Sequence, residues 1–215
     1  MRRELMCLLQ ARYISRDTLS RAAIMNICVF AGSSCGKRGS YQQAAEQLGE
    51  RLARRAIGLV YGGGSVGLMG AVASSALANG GQVTGVIPRS LAEKEIAHPD
   101  LTELRIVSSM HERKAQMADL SDAFVVLPGG IGTLDEAFEI WTWSQLGIHR
   151  KPIGLLNIAG FYDGLDRFLD HLVSEIFLKQ VHRDILLSDS QPDKLIDRLL
   201  AVEMPSVGKW IDPAR

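Results

Sequence analysis

Pro128, Gly129, Gly130 and Gly132 crowd into the stretch LPGGIGTLDE (127–136), directly ahead of an acidic helix start. Glycines at 129, 130 and 132 let several backbone amides point into one concavity. At the start of a helix such a nest suits an anion, phosphate above all, and Thr133 adds a hydroxyl donor. A tight turn alone needs one or two glycines, so three within four positions argue for binding. Glu136 reads differently. The spacing of Thr133 to Glu136, TLDE, matches a capping box in which the glutamate ties back to a backbone amide, and on spacing alone that structural role is the stronger one. Asp135 has an equally plain role as an acid beside the positive end of the helix.

A second candidate lies in SMHERKAQMADL (109–120), where a helical period places Arg113 between Met110, Met117 and Leu120 on the apolar stripe. A charge on that face calls for a buried or ligand anion, and an ion pair without catalytic meaning stays open as the alternative. Glu112 reads as the box partner of Ser109, and Lys114 sits at the edge of the stripe, where snorkelling accounts for it. The third stretch, GGGSVG (62–67), matches GxGxxG through Gly62, Gly64 and Gly67, after a strand and before a helix. A dinucleotide site also requires an acid about 20 residues on, and there the chain reads TGVIP (84–88) with none. The stretch therefore reads as a nucleotide or phosphate loop, with a purely structural glycine turn as the alternative. GSSCGKRGS (32–40) is one residue short of a P-loop and has Arg38 where Ser or Thr must stand, which excludes that NTPase motif. It is left as either a plain strand-to-helix connection or a ligand contact.

The elements that must position these residues follow from periodicity. Apolar runs at 26–32, 57–63, 82–88, 104–109, 123–129 and 152–157 lack polar alternation, which predicts strands covered on both faces. Helical patterns lie between them at roughly 40–56, 67–80, 110–121, 133–147 and 161–178, with another near 192–202. This alternation predicts an α/β fold with a doubly wound parallel sheet, helices on both faces and ligands beyond the carboxyl ends of the strands. Residues 31–34, 62–67 and 128–133 would then share one rim. Residues 25–202 form the expected single domain, with an N-terminal extension at 1–24 and a C-terminal tail at 203–215. The helix in AFEIWTWSQLGIH (137–149) is apolar nearly all round, so the sheet covers one side and a symmetric partner subunit is the natural cover for the other.

Composition bounds the function. Among 215 residues, 24 Lys and Arg balance 24 Asp and Glu, so no global field favours nucleic acid or an anionic membrane. Cys7, Cys28 and Cys35 show no metal or disulfide spacing, which suits a reducing cytoplasm, and His98, His149 and His182 show no ligand spacing. No apolar run approaches the roughly 18 residues of a membrane span. Lys94, Lys114 and Lys151 lack a setting for a pyridoxal Schiff base, and no cofactor or metal is called for.

The combination PGGIGTLDE (128–136) resembles the PGGxGTxxE signature of the Lonely Guy (LOG) family, and MHERK (110–114) resembles that family's arginine-bearing segment. YGGGSVGLMGAVA (61–73) and WSQLGIHRKPIGLLN (143–157) are also similar to family sequence, and the likeness runs from about Met25 to Leu200. The family, once labelled lysine decarboxylases, is associated with cytokinin riboside 5'-monophosphate phosphoribohydrolase activity. The resemblance implies a Rossmann-like fold and a homodimer or higher homo-oligomer. It also implies cleavage of the N-glycosidic bond of an adenine-type nucleoside 5'-monophosphate to free base and ribose 5-phosphate. By motif match Arg113 and Glu136 take catalytic positions, and Gly129, Gly130, Gly132 and Thr133 take phosphate-binding ones. Gly62, Gly63, Gly64, Ser65, Lys114 and Pro128 complete the candidate substrate-binding set. The alternative is a non-catalytic nucleotide carrier or sensor that uses the same glycine rim and leaves Glu136 as a capping residue.

Overall fold

Runs such as NICVF and AFVV are rich in β-branched and aromatic residues, which favour extended backbone and pack well on a pleated surface. The computed structural model describes residues 25–92 and 97–205. Seven strands are found there: β1 (Asn26–Phe30), β2 (Gly58–Tyr61), β3 (Val83–Pro88), β4 (Glu103–Val107), β5 (Ala123–Val126), β6 (Ile153–Leu156) and β7 (Leu186–Asp189). They pair in parallel in the order β4-β3-β2-β1-β5-β6-β7. From β1 the chain winds outward through β2, β3 and β4, then returns to the other side of β1 with β5. The reversal leaves a crevice beyond the carboxyl ends of β1 and β5, the place where doubly wound sheets hold ligands.

Helices α1 (Gly39–Arg54), α2 (Gly67–Ala78), α3 (Arg89–Ala92), α4 (Met110–Asp119), α5 (Ile131–Gln145), α6 (Asp163–Ser174), α7 (Gln180–Arg183) and α8 (Pro192–Ala201) connect the strands. Two cores result. Leu48 and Leu52 of α1, Leu68 and Val72 of α2, and Leu195 and Leu199 of α8 cover one face of the sheet. Met117 of α4, Ile140 and Trp141 of α5, and Leu169 of α6 cover the other. Each such side chain, fully buried, contributes about 1.5–3 kcal/mol of apolar transfer free energy. Among the described residues no helix is long and apolar enough to cross a membrane.

Three sequence expectations change. β4 is an edge strand with Leu104 and Ile106 exposed, so it is not covered on both faces. β7 was not expected, because its four residues, LLSD, form an edge too short and too polar to stand out as a buried run. α5 starts at Ile131 rather than 133, which changes the role of Glu136. The expected extension at 1–24, residue Lys94 and the tail beyond 205 lie outside the described residues.

The two helices on the first face approach closely at Gly49, where an added Cβ would sit 2.3 Å from the Val72 carbonyl oxygen and 2.9 Å from the Ala76 nitrogen. Gly49→Ala is therefore expected to lower stability by roughly 1–3 kcal/mol, as overpacking does. Gly39→Ala, whose Cβ meets nothing within 4 Å, should leave stability unchanged or slightly raised. Thermal unfolding followed by circular dichroism compares the two, and equal melting temperatures would contradict this packing.

Candidate active site

The rim between β1 and β5 is tied together by backbone. Gly32 N–H donates to Pro128 O at 3.2 Å, and Leu127 N–H donates to Phe30 O at 2.9 Å. The buried Tyr162 hydroxyl donates to Leu127 O at 2.7 Å, holding the loop before α5 from the side of the sheet. Above this rim opens a concavity of about 390 Å³, lined by Ala31, Gly32, Ser33, Met69, Leu91, Met110, Arg113, Gly130, Ile131, Gly132, Thr133, Asp135 and Glu136. A second one, of about 260 Å³, shares Gly32, Ser33 and Gly130 and continues over Pro128 and Gly129 to Tyr41 and Phe161.

The start of α5 forms one wall. Gly130 is its extended N-cap, no side chain caps it, and the positive end of the helix faces the concavity. The three glycines of this loop differ in their reasons. A Cβ on Gly129 would lie 2.1 Å from Thr133 Oγ1, so Gly129 makes room for the buried threonine. A Cβ on Gly130 or Gly132 would meet nothing within 4 Å, and neither residue has a positive φ. Protein packing does not explain glycine at those two positions. The two glycines leave the backbone amides there open to the concavity.

Starting the helix at Ile131 places Thr133 inside the first turn, so Thr133 is not an N-cap and the capping-box reading of Glu136 does not hold. Instead Glu136 turns toward α4, where its Oε1 lies 3.4 Å from Arg113 Nη2. Arg113 and Glu136 are 7% and 9% exposed, and both line the concavity. The pairing is loose. Arg113 Nη1 reaches only Met110 Sδ, at 3.8 Å, and its buried Nε has no hydrogen-bond partner among the described residues. Unused donors at this depth are costly and cluster where a ligand completes them. Burial pushes the Glu136 carboxyl above its ordinary pKa; Arg113 and then Lys114 pull it down, and Asp135 and Glu139 add to the rise.

The neighbouring motifs divide. The Ser109 cap forms as expected, with Glu112 N–H donating to Ser109 Oγ at 3.1 Å, but the Glu112 carboxylate returns to the preceding residue, accepting from Ser108 N–H at 2.7 Å. Gly62, Gly63, Gly64 and Ser65 do not line the main concavity. The amides of Leu68 and Met69 that open α2 donate to Gly32 O, at 3.0 and 3.3 Å, so this helix start is already capped by backbone. Gly62 has another use, since its Cβ would fall 2.0 Å from Arg113 Nη2. The absence of a side chain there seats the guanidinium. Lys114 does not itself line the concavity but pairs with Asp135, which does, and with Glu139, and Lys151 Nζ donates to Ala118 O at 2.8 Å at the end of α4. His98 bonds Ser74 and His149 bonds Ile140 O, and neither these nor His182 line either concavity. Sequence reading did not find Met69, Leu91, Tyr41 or Phe161, because their place at the site depends on how α1, α2, α3 and the segment before α6 pack.

Comparison with known proteins places this geometry in a family. The profile of the family described as "Possible lysine decarboxylase" matches residues 69–199. The chain is 50% identical over 180 residues to cytokinin riboside 5'-monophosphate phosphoribohydrolase LOG7 of Arabidopsis thaliana, covering 84% of this chain and 83% of that one. It is 53% identical over 173 residues to the probable cytokinin riboside 5'-monophosphate phosphoribohydrolase LOGL9 of Oryza sativa subsp. japonica, covering 80% and 76%. Among solved structures, the molybdenum cofactor binding protein of Rippkaea orientalis superposes with a TM-score of 0.63 at 21% identity, over 84% of this chain and 98% of that one, a likeness of fold. With this extent of identity over most of its length, the chain belongs to the Lonely Guy family, the group described as possible lysine decarboxylases.

Proposed function

We propose that this protein hydrolyses the N-glycosidic bond of adenosine 5'-monophosphates, N6-modified ones in particular, to free base and ribose 5-phosphate. The reading rests on the activity named for the plant relatives and on one observation above all. The buried Arg113–Glu136 pair opens onto the same concavity as the uncapped start of α5. A carrier needs only the cradle, whereas a desolvated carboxylate beside it has a use in chemistry.

In this reading the 5'-phosphate docks on the amides at Gly130–Thr133, which brings the ribose toward Glu136. As the C1'–N bond breaks, its electron pair leaves with the base and positive charge builds on the sugar. The Glu136 carboxylate stabilises that charge or orients the water whose oxygen bonds to C1', and the proton released by the water balances the departing base. Arg113 is the largest influence favouring the carboxylate form against the burial that disfavours it, and its remaining donors are available to ligand oxygens. The substrate-binding roles of Gly129 and Pro128 are the shaping of this loop. The exposed Cys35 and the buried Cys28 are both unpaired, which fits a cytoplasmic location.

The same reading includes a homodimer. Ile131, Phe138, Leu146 and Ile148 leave the outer side of α5 and its C-terminal end apolar and exposed, and Ile131 also borders the concavity. A second copy seated there would cover the apolar face and approach the substrate.

Incubation with AMP and with an N6-modified AMP, followed by assay of free base and ribose 5-phosphate, should show release, with far slower release from the unphosphorylated nucleoside. Glu136→Gln should lower the rate by on the order of 100-fold while nucleotide binding persists; near-normal turnover would remove Glu136 from the mechanism. Gly62→Ala, which touches no substrate in this scheme, should displace the guanidinium and lower the rate by about tenfold or more. An unchanged rate would show that the position of Arg113 is immaterial. Light scattering should give a dimer mass for the native chain and a monomer mass for Leu146→Asp/Ile148→Asp, and a monomeric native chain would refute the homodimer.

A further inference from the structure

Lys114 is the residue beside Arg113 on α4, and its environment is unlike that of a snorkelling or substrate-binding lysine. Its side chain is 10% exposed, and Nζ lies 2.7 Å from Asp135 Oδ2 and 2.7 Å from Glu139 Oε2. These two carboxylates flank Glu136 on the same side of α5. Three acids within five residues of one helix thus face two adjacent cations of another. Lys114 is absent from the lining of the concavity. We propose that Lys114 is a positioning residue: it neutralises the two carboxylates flanking Glu136 and clamps α5 against α4 in the register that sets Glu136 opposite Arg113. The inference rests on the reading of Glu136 as the carboxylate that acts on the sugar.

The charges around Glu136 make the consequence specific. Arg113 and Lys114 face it from α4, Asp135 and Glu139 from its own helix, and the Cys28 thiol from β1. Burial, and then Glu136 itself, push the Cys28 thiol well above its ordinary value, so it contributes no negative charge. Burial acts to lower the Lys114 pKa, but its bonds to Asp135 and Glu139 outweigh this and the net direction is upward, so the ammonium stays charged. Loss of Lys114 removes one cation and releases two anions beside Glu136. Both changes favour the protonated, inactive acid, so the Glu136 midpoint must rise. Activity, which needs the carboxylate, must then be lost at a higher pH as the solution is acidified.

The test is a carbon-13 NMR titration of the Glu136 carboxyl in glutamate-labelled protein, assigned by its absence from Glu136→Gln. In Lys114→Met the midpoint should rise by roughly one pH unit or more, whereas Lys114→Arg, which keeps the charge, should hold it near the native value. Lys114→Met/Asp135→Asn/Glu139→Gln should return it to the native value or below. Asp135→Asn/Glu139→Gln with Lys114 intact should lower it, and this variant decides the matter even if Lys114→Met fails to fold. An unmoved midpoint in either folded variant would overturn the proposal. In turnover of AMP the acid limb of kcat should move with the midpoint while KM holds; a rise in KM alone would make Lys114 a substrate ligand and overturn the positioning role. Because the titration needs no turnover, a protein that released no base yet showed the shifts would refute the hydrolase reading, on which the effect on kcat depends, and leave only the electrostatic clamp of Lys114 on Glu136 standing.

Discussion

The structure turns on pairing a glutamate with an arginine where water has been largely removed. Taking Glu136 and Arg113 out of solvent carries a desolvation penalty of several kcal/mol per ion, and their mutual attraction offsets it only when the geometry around them is held rigidly. Here the two residues come from different helices that follow different strands, β4 and β5, on opposite sides of β1. Their meeting depends on the parallel sheet, which delivers both helix starts to one rim. The tight backbone bonds at Gly32, Leu127 and Pro128 and the hydroxyl of Tyr162 make that rim stiff. The 3.4 Å pairing and the unmatched Nε of Arg113 leave the pair short of full satisfaction among the described residues.

The glycines explain how backbone, charge and ligand share so small a volume. At Gly62 the missing Cβ is filled by a guanidinium, at Gly129 by a threonine hydroxyl, and at Gly67 by the Ser33–Ser34 backbone. At Gly130 and Gly132 nothing in the protein fills it. One residue type thus serves two ends, close packing within the fold and open backbone at the concavity, and only the neighbours tell them apart. The same distinction separates the two helix starts. The first turn of α2 is capped by the Gly32 carbonyl, whereas α5 has no side-chain cap and lines the concavity, so its dipole is the one directed at the site.

Charge around the site is organised in layers. Arg113, Glu136 and Asp135 line the concavity, while Lys114, which does not line it, joins Asp135 to Glu139. That arrangement sets three acids of α5 against two cations of α4.

Periodicity and composition by themselves determined the alternating α/β order, the rim that collects the glycine loops, the Ser109 cap of α4 and the anomalous charge of Arg113 on an apolar stripe. All of these depend on neighbours within one or two turns of chain. The role of Glu136 was not legible from spacing, because TLDE satisfies a capping box equally well until the helix is seen to start at Ile131. Lys114 and the loop from Gly62 to Ser65 were likewise read as ligand-facing, since their motif neighbours are. Tertiary structure gives these residues partners within the protein, by bringing Asp135 and Glu139 to Lys114, Gly32 O to the start of α2 and Arg113 into the space that Gly62 leaves. Each of those contacts joins residues from separate elements, and which groups end up buried together is set by packing that no local pattern encodes.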